Sequence, residues 1–194
     1  INSYTAGSVS GLECVGGVSG DNDTGSIRDC YNIGSVSGSE GNVGGVNGNN
    51  NGGIITNSYN AGSVSGIERY VGGVNGWNNG TITNCYNVGS VSGSGYVGGV
   101  NGWNKGTITN CYNTGSVSGT GVNVGGVIGR NESNATIKNC YYDSTIYTGT
   151  AIGYDGGTTE KVEGKTTAQF ASGEIAYLLS QGCTIGEVTY DGTI

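Results

Sequence analysis

Residues 85–101 read CYNVGSVSGSGYVGGVN, and residues 111–128 read CYNTGSVSGTGVNVGGVI. The two phrases are near copies, and shorter echoes of them run along the chain in both directions. Tyr4, Tyr31, Tyr59, Tyr86, Tyr112 and Tyr141 are separated by 27, 28, 27, 26 and 29 residues. The glycine pairs that begin at Gly16, Gly44, Gly72, Gly98 and Gly125 are separated by 28, 28, 26 and 27. A period near 27 over most of a chain marks a stacked array, whose units bury their apolar residues only against one another.

Inside each period runs a finer rhythm. Val9, Val18, Ile27, Val36, Val46 and Ile55 open a series of β-branched residues spaced 8 to 10 apart that continues to Ile137. Each stands at the centre of a short strand such as Ser-Val-Ser or Thr-Ile-Thr, so the anchor points inward and its neighbours outward. Three anchors per period describe a coil with three sides. A second inward set, Val15, Val43, Val71, Val97 and Val124, lies three residues before one anchor. The expectation is an all-β chain forming a parallel β-solenoid (a β-helix) with three-sided coils of about 27 residues. Five coils would rise roughly 24 Å at the 4.8 Å strand spacing. Glycine in every period and the β-branched anchors argue against a helical repeat.

Composition agrees. Of 194 residues 42 are glycine, and proline, histidine and methionine are absent. Proline would remove a ladder donor from every coil. Collagen is excluded, since it needs glycine at every third position and abundant proline. The net charge of −7, with seven Lys and Arg, disfavours nucleic acid as a partner. No apolar run approaches the roughly 18 residues of a membrane span. The chain begins Ile-Asn-Ser-Tyr without Met, and its expected origin is a mature or excised fragment.

The repeats are expected to occupy residues 1–142, with a C-terminal cap over 143–194. Residues 143–165 read as a Gly/Thr-rich loop. Residues 166–181 carry Phe170, Ile175, Leu178 and Leu179 at helical spacing, with Thr166 or Thr167 as N-cap and Gly182 beyond the end. Residues 183–194 can add a closing strand. At the other end the first coil has no evident cover, so either a preceding portion is missing or that end meets another molecule. The second option makes the chain a partner of itself, end to end.

The pattern T-I-T-N-C-Y-N-x-G-S-V-S-G, followed by V-G-G-V-x-G-x-N-x-G, resembles the GLUG repeats of microbial surface proteins. The stretch Ser172-Gly173-Glu174-Ile175-Ala176-Tyr177-Leu178-Leu179 looks like the ending that closes such arrays. The resemblance spans roughly residues 1–182. Such repeats sit in large adhesins and beside proteolytic domains of IgA-protease type. The resemblance therefore implies an extracellular, surface-displayed stalk or adhesive module, facing surface glycans or a host protein. It transfers no catalytic residue.

Candidate sites are few. Without histidine there is no Ser-His or Cys-His couple, and zinc patterns fail. Acidic residues are scattered along the coils, so the chain is expected not to be an enzyme, and nothing in it calls for a cofactor. Asp21-Asn22-Asp23-Thr24-Gly25 begins like a calcium loop, with Asp21 and Asp23 as weak metal candidates. Its register equals that of Asn49-Asn50-Asn51-Gly52, however, and the position of the last ligand holds Asn32, which favours an ordinary corner turn. Trp77 and Trp103 recur at one corner beside Asn78 and Asn104. Two coplanar indoles there can stack on a sugar, anchor a neighbouring molecule or simply stack on each other. These four residues are the ligand-binding candidates.

Six cysteines occur, none in a CxxC pair. Cys30, Cys85, Cys111 and Cys140 precede repeat tyrosines where Ser3 and Ser58 stand in other periods. This implies a small inward slot, filled by packed thiols or, alternatively, by a stacked disulfide. The tyrosines fill a core corner or form an outer ladder. The serine pairs Ser8/Ser10 to Ser116/Ser118 make a flat hydroxyl face; threonine faces of this kind order water in ice-binding solenoids, but serine lacks the methyl group. Asn22, Asn79, Asn131 and Asn134 begin glycosylation sequons.

Overall fold

The computed structural model describes residues 1–181. It is a parallel β-solenoid. In one coil the short strands are Ser26–Arg28, Tyr31–Asn32, Val36–Gly38, Val43–Gly44 and Asn47–Asn50. Each pairs in parallel with its equivalent one coil away. Ile55 faces Ile27 on one side and Ile82 on the other, and Val64 faces Val36 and Val91. The three anchor series thus stand as three vertical columns. The walls between them resolve into five strand columns arranged in four sheets.

Periodicity explains the columns, but the interior has a feature that periodicity did not reveal. Its apolar residues form two compartments. The Ile27 and Val46 columns pack with the cysteine column in one, and the Val36 and Val43 columns fill the other. At the waist between them runs a stack of buried asparagines, Asn32, Asn60, Asn87 and Asn113. The opposite wall presses the Gly-Gly pair against this stack. A Cβ on Gly45 would collide with the Asn60 amide and the Gly73 carbonyl, and one on Gly44 would lie 2.7 Å from Asn75 Cα. The glycine pair is therefore a demand of the narrow waist.

The asparagine before each Cys-Tyr or Ser-Tyr turns the corner. Asn57, Asn84, Asn110 and Asn139 have φ between 51° and 55°, and Asp29 has 54°. Asn and Asp are the side-chain-bearing residues that visit this left-handed region most readily. The tyrosine that follows two residues later points outward. Tyr4, Tyr31, Tyr59, Tyr86 and Tyr112 form an outer ladder with ring centroids 4.8 to 5.1 Å apart.

The C-terminal region departs from expectation between 143 and 165. In place of a loop, Ile152–Asp155 and Thr158–Lys165 form strands that add a last parallel rung. Ile152 faces Ile128 and Thr159 faces Ile137. This rung follows its predecessor by 22 residues, from Thr136 to Thr158, and places Thr159 where the other rungs have isoleucine. Its anchor is thus hidden from hydrophobic periodicity. From Tyr4 to Glu163 the tyrosine column spans six spacings, roughly 29 Å at 4.8 Å each.

Two short helices follow, as expected: α1 (Thr167–Ala171) and α2 (Glu174–Ser180). Thr166 is the N-cap of α1, in a capping box with Gln169. Phe170 meets the end of the tyrosine ladder, 5.8 Å from the Tyr112 ring, and Ile175 is buried. Asp143 fastens this cap to the last full coil by accepting from the Thr145 and Thr167 hydroxyls. Burial raises the proton affinity of its carboxyl, but the hydrogen bonds from Thr145 and Thr167 prevail and hold it below the usual aspartate value. The possible closing strand over 183–194, the helix stop at Gly182 and Cys183 lie outside the described residues.

Candidate functional site

Trp77 and Trp103 occupy equivalent places in strands Asn75–Asn78 and Asn101–Asn104. They are not coplanar. Their ring centroids are 6.3 Å apart and the planes meet at 66°, edge to face. The reason is a neighbouring column that the repeat alignment missed. Tyr70 and Tyr96 project from the adjacent sheet, and Tyr70 packs against Trp103 at 4.6 Å with a 58° tilt. The two sheets come this close because Gly102 lies on the backbone of the facing strand, where a Cβ would stand 2.6 Å from Val71 N.

Charged groups complete this belt. Trp103 Nε1 donates to Glu132 Oε1 at 2.9 Å, and Arg130 Nε donates to the same oxygen at 2.7 Å. The Arg130 bond holds the Glu132 carboxyl below its usual range and raises the guanidinium in turn. Arg130 also lies over Tyr154 at 4.5 Å, while Lys105 Nζ sits 4.3 Å from the Trp103 ring. Arg130 occupies the register position of the tryptophans, so Ile-Gly-Arg-Asn at 128–131 set beneath the two Asn-Gly-Trp-Asn tetrads was the available signal.

Asn78 and Asn104 do not face a ligand. Both are fully buried, since strand alternation turns them inward from the indoles. They belong to a vertical chain of amides: Asn22 donates to Asn50, and so on through Asn78, Asn104 and Asn131, with N···O distances of 2.8 to 3.0 Å. The chain ends when Asn131 Nδ2 donates to Asp155 Oδ1 at 2.9 Å. Local backbone bonds set the direction of the amides, as where Asn78 and Asn104 donate to the Gly80 and Gly106 carbonyls and accept from the same glycines' N–H groups, and Asp155 supplies a purely accepting end that matches it.

The same logic accounts for Asp21 and Asp23. Asn49 Nδ2 donates to Asp21 Oδ1 at 2.9 Å, and Asn51 Nδ2 donates to Asp23 Oδ1 at 3.3 Å. Asp29 likewise ends the outer chain that runs through Asn139, Asn110, Asn84 and Asn57. Asp23 and Asp29 thus terminate amide ladders, and Asp21 accepts from the single amide of Asn49, whose next rung holds Trp77. Asn22, between the two metal candidates, is turned inward, and no third acidic group joins them. Among the described residues no group of three or more His, Cys, Asp or Glu is placed to hold a metal.

The cysteines form a buried column of free thiols, with Cys85, Cys111 and Cys140 fully enclosed. Burial pushes the thiols of Cys85 and Cys111 well up. Ser58 shares their slot, and its hydroxyl donates to the Thr56 carbonyl at 2.9 Å. Only Cys14 among the described cysteines is exposed. The serine pairs line an outer face, with Ser35 Oγ donating to Ser8 Oγ at 2.9 Å. Of the four sequon asparagines, Asn22 and Asn131 are buried in the ladder, whereas Asn79 and Asn134 are exposed. No helix among the described residues is long and apolar enough to cross a membrane.

Comparison with known proteins gives a consistent picture. Residues 120–147 match the GLUG motif. These residues run from the end of one coil through Ile128–Asn131 and Thr136–Asp143, so the motif straddles the last full winding. Among solved structures the chain resembles a protein from Bacteroides ovatus that has been proposed to be an immunoglobulin A1 protease. The TM-score is 0.66 at 25% identity, covering 90% of this chain and 60% of that one. The chain thus spans about 60% of the length of that chain. No curated protein sequence is similar to the chain at a significant level.

Proposed function

We propose that this chain is a rigid, non-catalytic module of a microbial surface protein, acting outside the cell as a spacer or adhesive stalk. The observation that carries this reading is the continuity of its vertical ladders. Backbone pairing, side-chain amide stacks and the tyrosine stack all run along one axis. Bending or stretching that axis must disturb many of them together. The solenoid likeness to the Bacteroides ovatus chain and the GLUG match support the surface setting. The absence of histidine and the scatter of carboxylates support a role without catalysis.

Two measurements test this. Hydrogen exchange on the purified protein should show the central amides, such as Val64 and Val91, opening only with global unfolding. Rapid local exchange there would rule out a rigid spacer. Protease shaving of intact source cells should release peptides of this chain, and their absence from the shaved fraction would refute surface display. An alternative is a filament subunit stacking end to end. Electron micrographs decide it: filaments with an axial repeat near one solenoid length support stacking, and dispersed short rods exclude it.

A further inference from the structure

The aromatic belt is more than the fold requires. One outward column reads Asp21, Asn49, Trp77, Trp103, Arg130 and Tyr154 on successive rungs. The first two rungs build the same coil, with the same backbone pairing, using small polar residues. The facing column likewise changes from Cys14 and Asn42 to Tyr70 and Tyr96, because Val15, Val43, Val71 and Val97 align in register. Stacking of coils therefore does not call for the rings. Nor does burial: Trp77, Trp103, Tyr70 and Tyr96 are all part-exposed, and Tyr154 is 46% exposed.

Charge divides along the same line. Residues 1–69 contain six acidic residues and two arginines, Arg28 and Arg69. Between Tyr70 and Asn131 the only charged residues are Lys105 and Arg130. Arg130 is engaged by Glu132, but Lys105 forms no ion pair among the described residues and is exposed over the Trp103 ring. In a chain of net charge −7 this is a cationic spot set in an aromatic strip, and the strip lies beside exposed amides and hydroxyls such as Asn79 and Thr107. From Trp77 to Tyr154 it spans three rungs, roughly 14 Å at the strand spacing.

We propose that this belt binds a carboxylate-bearing oligosaccharide. The apolar C–H faces of the sugar rings would lie along Trp77, beside the Trp103 and Tyr154 rings that Lys105 and Arg130 cover. A uronate or comparable carboxylate would pair with Lys105. A neutral sugar would leave Lys105 unanswered. An acidic sugar placed lower on the same face would meet Glu13, Asp21, Glu40 and Glu68 against the single cation Arg69, so the excess of acidic groups there also sets where along the axis the ligand sits. This goes beyond the spacer role: a rigid module with no ligand would satisfy that reading and not this one.

Both tryptophans of the chain lie in the belt, so indole fluorescence reports on it directly. The full chain is titrated with a hyaluronan hexasaccharide and, separately, with neutral cellohexaose. A saturable change is expected with hyaluronan, and little with cellohexaose. Lys105→Gln should weaken hyaluronan binding about tenfold, the scale of one charge-assisted hydrogen bond. Trp77→Asn should abolish binding measured by calorimetry; because Asn49 holds that slot one rung away, this variant keeps the fold, which circular dichroism verifies. No saturable response to hyaluronan, an equal response to both sugars, or an unchanged affinity in Lys105→Gln would each overturn the proposal.

Discussion

Replacing Asn87 by alanine tests whether the buried amide stack holds the waist. Asn87 is fully buried midway along its column. Its Oδ1 accepts from Asn60 Nδ2 at 2.7 Å, and its Nδ2 donates to Asn113 Oδ1 at 2.8 Å and to the Gly89 carbonyl at 2.7 Å. Alanine removes all three bonds. Asn60 keeps its contact with the Gly62 carbonyl, and Asn113 keeps the Gly115 amide, so neither amide is left wholly bare. At about 1 kcal/mol net per hydrogen bond, the loss is about 3 kcal/mol. Part of the vacated space faces Gly73, whose position leaves no room for the wall to relax inward. For a chain of this size about 3 kcal/mol lowers the melting temperature by about 6–12 °C.

The assay is urea unfolding followed by far-ultraviolet circular dichroism, with thermal melting alongside. The control is Asn101→Ile, in a column where Ile128 already stands on the next rung. Asn101 Nδ2 has no partner, so isoleucine removes an orphaned donor as well as the one bond from Asn75. Its expected cost is within about 1 kcal/mol, since the apolar gain and the lost bond are of similar size. If Asn87→Ala costs no more than Asn101→Ile, the stack is a by-product of register and contributes nothing of its own.

Three further outcomes are expected. Stability should fall on acidification: Asp143 and Glu132 both have carboxyls held below their ordinary values in the folded state, so their contribution is present above the normal carboxylate range and is lost as pH drops through the folded value. Melting at pH 7 and below pH 4 checks this, and a rise in melting temperature on acidification would contradict it. Iodoacetamide labelling mapped by mass spectrometry should modify Cys14 in the native protein, and Cys30, Cys85, Cys111 and Cys140 only after unfolding. In a host that glycosylates exported proteins, Asn79 and Asn134 should carry glycan in the folded product, while occupancy of Asn22 or Asn131 should abolish folding, since each lies inside the coil.

Much of the architecture was legible because it repeats. The β-branched anchors recur at fixed spacing, and nothing but vertical stacking satisfies that recurrence over five periods. The two compartments were not legible, because Asn32, Asn60, Asn87 and Asn113 are polar and carry no apolar signal. Hydropathy treats an asparagine as outward, whereas a stack of asparagines can go inward when each amide is answered by the next. The last rung was hidden for the converse reason: Thr159 stands in the isoleucine column. At the candidate site the tryptophans were visible as repeated rare residues. Tyr70 and Tyr96 were not, since they precede the Val-Gly-Gly phrase in only two coils and their partnership with Trp103 crosses between sheets.

The aspartates show why a motif should be read against its own repeat before it is read as a site. Taken alone, Asp21-Asn22-Asp23 offers alternating oxygens and suggests a cation. Set beneath Asn49-Asn50-Asn51, it differs at the first and third positions by an amide exchanged for a carboxylate. At the accepting end of a stack a group that does not have to donate fits well, and aspartate is the isostere that supplies it. Asp29 and Asp155 do the same at opposite ends of two other stacks, the inner chain pointing its donors toward the C-terminal rung and the outer chain toward the N-terminal one. Asp155→Asn would give the inner chain an end that can also donate, while backbone bonds at Gly80 and Gly106 still hold the Asn78 and Asn104 amides in direction. The structural consequence falls on Gly157 N and Thr159 Oγ1, which also donate to the Asp155 carboxylate. Replacing a charged acceptor by a neutral one weakens these bonds along with the one from Asn131, so the expected loss is about 1–2 kcal/mol, concentrated in the last rung. Hydrogen exchange localises it: faster opening of residues 152–165 with the central coils unchanged fits this account, and uniform destabilisation of every coil refutes it.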